Sequence, residues 1–196
     1  MPAEGAIGDP RTLFDPPAET VWLEIGFGGG EHLAAQAEAH PAIGLIGCEP
    51  FVNGIVSALG HVARRGLANV RLWPDDARLL LDRLPAGSLD RIFVLFPDPW
   101  PKARHAKRRF VSSENLDRLA RLMRGGAELR LASDDADHVD WMLMQLLAHP
   151  AFEWTARRAA DWREPPPDWL PTRYEAKAVQ HGVQPAYLRF RRRPRP

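Results

Sequence analysis

The chain has 196 residues, 45% of them hydrophobic, a net charge of +1 and a single cysteine, Cys48. That length suits one α/β domain with a full core, and one cysteine excludes an internal disulfide framework. No run is long and apolar enough to span a membrane, and residues 1–20 lack the basic and apolar regions of a secretory signal, so a cytoplasmic protein away from membranes is expected.

Residues 1–20 are rich in proline and acid and read as a short, poorly ordered arm ahead of one domain over 21–196. Val21–Ile25 forms the first predicted strand, followed by a glycine-rich turn and a helix to about residue 39. Residues 43–48 are the second strand. The helix after it carries Val52, Ile55, Val56, Leu59, Val62 and Ala63 at the spacing of one apolar face. A third strand spans 70–73, with a helix over 77–84, and a fourth strand covers 91–96. Ser112 caps a helix burying Leu116, Leu119, Ala120 and Met123. A fifth strand spans 127–132, and Asp134 or Asp135 opens the next helix. Residues 152–155 and 186–190 read as two final strands, with a long irregular loop from Pro165 to Gly182 between them. The alternation predicts an α/β, Rossmann-like, doubly wound sheet of seven strands.

Such sheets bind ligands at the carboxyl ends of their strands. Carboxylates recur there, with Glu49, Asp76 and Asp98 following the second, third and fourth strands. Between the first strand and first helix lies Glu24-Ile25-Gly26-Phe27-Gly28-Gly29-Gly30. A dinucleotide fingerprint beginning at Gly26 would need a third glycine at Glu31, where a carboxylate would repel a pyrophosphate at the helix N-terminus. A cationic cofactor suits this acidic turn better than NAD does, with Glu49 placed for ribose hydroxyls and Asp76 for an adenine amine. Cys48, at the end of a predicted strand, reads as a buried structural thiol.

The richest segment is Phe96-Pro97-Asp98-Pro99-Trp100-Pro101-Lys102, continued by Arg104, Lys107, Arg108 and Arg109. One carboxylate, one aromatic face and five cations on a proline-stiffened loop suit a nucleobase carried on a phosphate chain. Charge is unevenly spread: residues 1–50 hold eight acids and one base, while 189–195 form a second cationic cluster. The seven histidines show no metal-ligand spacing, so no metal is expected.

Leu23-Glu24-Ile25-Gly26-Phe27-Gly28, Asp76-Ala77, the loop from Phe96 to Lys102 and Thr172-Arg173-Tyr174-Glu175 together resemble the bacterial tRNA (guanine-N7)-methyltransferases, from about residue 20 to the C-terminus. The resemblance implies the class I fold of S-adenosylmethionine-dependent methyltransferases and methylation of a variable-loop guanine in tRNA. It places Glu24, Gly26, Gly28, Glu49, Asp76 and Asp98 around the cofactor, with Asp98 also catalytic. Lys102, Asp134, Thr172, Arg173, Tyr174 and Glu175 would meet the substrate. The chain departs from the family in its short N-terminal arm and in residues 176–182, which lack an arginine-rich continuation; the 189–195 tail is expected to take over some RNA affinity. The competing readings are an amino-methyltransferase acting on another base and a non-catalytic RNA-binding relative. The first would place a second proline where Trp100 stands, and the second would have no need of the strand-end carboxylates.

Overall fold

The computed structural model describes residues 5–194. In chain order it contains β1 (Thr20–Ile25), α1 (Glu31–Ala39), β2 (Ile43–Cys48), α2 (Val52–Arg65), β3 (Val70–Trp73), α3 (Ala77–Leu81) and β4 (Leu89–Leu95). There follow α4 (Ser113–Leu122), β5 (Met123–Ser133), α5 (Ala136–Ala148), β6 (Phe152–Trp154), α6 (Ala160–Arg163), α7 (Arg173–Gln180) and β7 (Ala186–Arg192). The seven strands form one sheet in the order β3-β2-β1-β4-β5-β7-β6. The first five are parallel, and β7 runs antiparallel to both β5 and β6.

The period of two along each strand divides the core between the two faces of the sheet. Leu23, Ile25, Ile92, Val94, Leu129 and Leu131 face Leu80, Leu116, Leu119, Met142 and Leu146 of α3, α4 and α5. Trp22, Leu45, Phe93 and Leu95 face Leu33 and Ala37 of α1 and Ala58 of α2. Helix starts follow local capping chemistry. Ser112 Oγ accepts from Asn115 N–H, and Asp135, rather than Asp134, caps α5 through His138 N–H. Strand order reverses between β1 and β4, so their carboxyl ends open a crevice where a ligand fits.

Three expectations are corrected. The described part of the N-terminal arm is docked. Ile7 N–H donates to Arg83 O, Arg71 donates to Leu13 O, and the Arg71 guanidinium lies 4.9 Å from the centre of the buried Phe14 ring. That ring fills the space beside Gly44, where a Cβ would come within 2.3 Å of it. Second, α2 packs Ile55 and Val62 of the expected face on the core but keeps Val52, Val56 and Leu59 exposed. Its small residues pack inward beside them: a Cβ on Gly54 would fall 2.3 Å from Gly28 O, and one on Gly30 would fall 2.6 Å from Ala58 Cβ. Close approach to the glycine-rich turn thus sets the rotation of the helix. Third, the expected irregular loop at 165–182 contains α6's successor α7, an eight-residue helix.

Candidate active site

A cleft of about 580 Å³ opens at the switch between β1 and β4, within the range of small-molecule sites. It is lined by Gly26, Gly28, Glu49, Asp76, Asp98, Arg173 and Tyr174 of the residues expected at the site. The turn after β1 needs its glycines, since Gly26 and Gly28 have φ of +73° and +56°, a region costly for other residues. Glu49, only 5% exposed at the end of β2, holds this turn. Its Oε2 accepts from Gly28 N–H at 2.9 Å and its Oε1 from Phe51 N–H at 3.1 Å. The amide that would face a phosphate is therefore already bonded to a carboxylate. With Glu31 in the first turn of α1, the cradle disfavours an anionic pyrophosphate and favours a sulfonium and ammonium, as in S-adenosylmethionine. Each Glu49 oxygen keeps capacity for a further donor such as a ribose hydroxyl.

Asp76 caps α3 and makes a bidentate pair with Arg78, at 2.7 Å for the shortest contact. The hydrogen bonds from Arg78 hold its carboxyl below the usual carboxylate range. Cys48 also lines the cleft, but burial pushes its thiol up, away from the reactive thiolate. Glu24 lies outside the cleft. It is buried, 2.9 Å from His32 Nδ1, while His32 Nε2 lies 3.1 Å from Gln36. It borders instead a small adjoining cavity of about 10 Å³ shared with Gly26, Phe96 and Tyr174. Its place on β1 turns it toward α1, because Leu23 and Ile25 take the opposite face.

Asp98 sits at the cleft in a loop bent by two non-glycine residues with left-handed backbone, Phe96 at φ 50° and Trp100 at φ 44°. Such conformations cost on the order of 1–3 kcal/mol each and persist where the surroundings over-determine them. Among the described residues no hydrogen bond or ion pair reaches the Asp98 carboxylate, which is exposed to the cleft. Trp100 has Arg108 over its ring at 4.8 Å and the His105 edge at 5.8 Å, so part of its aromatic surface is already covered.

The other wall comes from the start of α7. The resemblance puts Thr172 and Glu175 on the substrate, but their side chains form a capping box. Glu175 N–H donates to Thr172 Oγ1, and Thr172 N–H donates back to Glu175 Oε2. That carboxylate, 8% exposed, also accepts from Trp169 Nε1–H at 2.7 Å and Tyr187 O–H at 2.6 Å. Burial and the Glu175 charge push the Tyr187 hydroxyl up, so it stays a donor. The cap presents Tyr174 against Gly28 and stacks it on Phe96, with ring centres 6.2 Å apart. Arg173 and Arg108 both line the cleft. Lys102 and Asp134 are exposed and are not among the lining residues. Phe96, Arg78 and Arg108 enter the lining beyond the expected set; Phe96 and Arg108 belong to the motif loop and its basic continuation, whereas Arg78 had only its place after the third strand as a signal.

The two basic clusters are not one surface. β7 is antiparallel, so Ala186 pairs with Ser133 near the cleft while Arg191 pairs with Glu128 toward the opposite end of the sheet. Arg192 donates to Ala120 O and Arg193 to Phe152 O there, and Arg195 lies outside the described residues.

A family model described as "Putative methyltransferase" matches residues 18–187. A tRNA (guanine-N(7)-)-methyltransferase of Rhodospirillum rubrum is 60% identical over 192 residues, covering 98% of this chain and 75% of that protein. A protein of the same name from Paramagnetospirillum magneticum is 57% identical over 188 residues, covering 95% and 78%. Among solved structures, the 16S rRNA methyltransferase KamB matches with a TM-score of 0.67 at 19% identity, over 94% of this chain and 91% of that one. A mutant 16S rRNA (adenine(1408)-N(1))-methyltransferase from Catenulisporales acidiphilia, solved with cosubstrate SAM, matches with a TM-score of 0.64 at 18% identity, over 94% and 91%. At those identities the two structures show a shared fold.

Two substitutions test this geometry. Glu49→Ala should weaken S-adenosylmethionine binding by about 1–3 kcal/mol by calorimetry, as expected for lost charge-assisted hydrogen bonds; unchanged affinity would place the cofactor elsewhere. Glu175→Ala should lower folding stability in urea by about 1–3 kcal/mol, because the buried Tyr187 and the half-buried Trp169 lose their acceptor. A residue that only contacted substrate would leave the unfolding midpoint where it was.

Proposed function

The chain belongs to the family of putative methyltransferases that includes the tRNA (guanine-N(7)-)-methyltransferases, and from that membership we propose that it methylates N7 of a variable-loop guanine in tRNA. The observation that carries the catalytic reading is the free carboxylate of Asp98, held at the cleft between two left-handed residues. The chain is read as one methyltransferase domain over 21–196 with residues 7–14 of the arm packed against it, at work in the cytoplasm where its tRNA substrate resides.

S-adenosylmethionine, when bound, supplies a methyl group on a positively charged sulfur. Guanine N7 attacks with a free lone pair, so the N7–carbon bond forms as the carbon–sulfur bond breaks. The positive charge moves from sulfur to the base, and no proton has to leave first. What the protein must supply is alignment and electrostatics. Glu49 and the turn at Gly26 and Gly28 orient the cofactor, with Asp76 at the adenine end. Asp98 accepts from guanine N1–H and the exocyclic amine, fixing the base, and its negative charge offsets the charge that develops at N7. Tyr174 and Phe96 wall the reacting centre and reduce access of water. Arg173, Arg108 and Lys102 take RNA phosphates around the mouth, with Asp134 at the substrate side beyond it.

Incubation with methyl-labelled S-adenosylmethionine and unmodified tRNA, followed by nucleoside analysis, should yield 7-methylguanosine. Label in a methylated adenine or cytosine would replace this reading with the amino-methyltransferase one. Asp98→Asn keeps the side chain's shape but exchanges an acceptor oxygen for a donor. It should lower kcat by ~10²-fold or more while cofactor and tRNA binding stay near wild type; a fully active variant would remove Asp98 from the catalytic role.

A further inference from the structure

Five cations occupy positions 102–109, and in the sequence they read as one RNA-facing cluster. The structure separates one of them. Lys102, Arg104, Lys107 and Arg108 are exposed, whereas Arg109 is half-buried and turned back under its own loop. Its Nε–H donates to Pro99 O at 2.8 Å and its Nη2–H to Trp100 O at 3.4 Å. Its guanidinium lies 4.8 Å from the centre of the Trp141 ring on α5. Trp141 is itself fixed, since its Nε1–H donates to Val111 O at 2.7 Å.

We propose that Arg109 is a positioning residue for Asp98, holding the loop in its bent conformation from behind rather than gripping RNA. The inference rests on Asp98 being the catalytic carboxylate. Pro99 is the residue directly after Asp98, and Trp100 is one of the two left-handed positions, so both carbonyls bound by Arg109 belong to the bend that aims Asp98. Two diverging donors on a rigid plane, stacked on an indole, suit this task, which the single point charge of a lysine cannot reproduce.

The other side of the bend rests on the same helix. His138, three residues before Trp141 and on the same face of α5, is fully buried beside Pro97. The Pro97 carbonyl is close enough to favour a proton on the ring. Even so, neither ring nitrogen makes a hydrogen bond of normal geometry among the described residues. Burial first, then the Arg109 charge, pushes the imidazole below its ordinary value against the opposing pull of Asp135 and Asp98. The positive charge behind the loop is therefore that of Arg109. One turn of α5 thus backs both flanks of Asp98, through His138 at Pro97 and through Trp141 and Arg109 at Pro99 and Trp100.

The test compares Arg109→Ala, Arg109→Lys, Arg108→Ala and Asp98→Asn in the full chain, measuring kcat, the KM for tRNA and the salt dependence of tRNA binding. Arg109→Ala should lower kcat by ~10²-fold, the scale of a small misplacement at the reacting centre. Its KM for tRNA should stay within about twofold of wild type, the sign that binding is kept while catalysis is lost. Arg109→Lys should recover only part of kcat. Arg108→Ala should reduce the slope of log affinity against log salt by about one, while Arg109→Ala leaves it unchanged. A wild-type kcat with a raised KM and a reduced slope in Arg109→Ala would make Arg109 an RNA contact and overturn the proposal. If Arg109→Ala does not fold, Arg109→Lys decides, and a folded Arg109→Lys with wild-type kcat also overturns it. Full activity of Asp98→Asn would instead overturn the catalytic reading, so the two failures are told apart in one experiment.

Discussion

Among the described residues Asp98 is left unpaired because the loop that carries it satisfies itself elsewhere. A carboxylate beside five cations would ordinarily be captured by one of them, as Asp76 is by Arg78. Here Arg109 spends its donors on the carbonyls of Pro99 and Trp100, and among the described residues no cation of the run pairs with the carboxylate. The three prolines fix φ at alternate positions, and the left-handed backbone at Phe96 and Trp100 turns the chain on either side of Pro97-Asp98-Pro99. The loop that carries Asp98 is thus held by backbone geometry and by packing on α5.

The opposite wall of the cleft shows the same division of labour. Glu49 organises the glycine-rich turn and the start of α2 through two backbone amides. By occupying Gly28 N–H it also sets the charge class of ligand the cradle accepts. Glu175 organises the start of α7, and its buried carboxylate reaches no further than Thr172, Trp169 and Tyr187. Two buried carboxylates therefore build the walls that present Gly26, Tyr174 and Arg173, while the exposed Asp98 lines the cleft between them.

Much of the fold was legible because strands and helices alternate with clear periods, and the caps at Ser112 and Asp135 follow local chemistry. The α2 face was legible only in Ile55 and Val62, because apolar spacing cannot show that Gly54 and Ala58 must approach the glycine-rich turn. Thr172-Arg173-Tyr174-Glu175 carries a capping-box pattern, so the helix it starts was legible in the segment that the resemblance places at the substrate. Phe14 sat in a stretch rich in prolines and acids, and it takes its seat in the core beside the distant Gly44 and under Arg71. Glu24 sat in the expected motif, but strand alternation turns it to His32. Arg109 is chemically indistinguishable from Arg108 in the sequence; Trp141, thirty-two positions later, separates their roles.

The most direct measurement is a structure of the protein with the demethylated cofactor product and a tRNA carrying its unmodified variable-loop guanine. The guanine N1–H and exocyclic amine should lie within hydrogen-bond distance of the Asp98 carboxylate, at about 2.7–3.0 Å. N7 should point along the line to the cofactor sulfur, with the loop from Phe96 to Trp100 still bent and Arg109 still on its carbonyls. A guanine held with N7 turned from the sulfur, or an Asp98 carboxylate facing solvent with the base bound elsewhere, would contradict the assignment of this cleft.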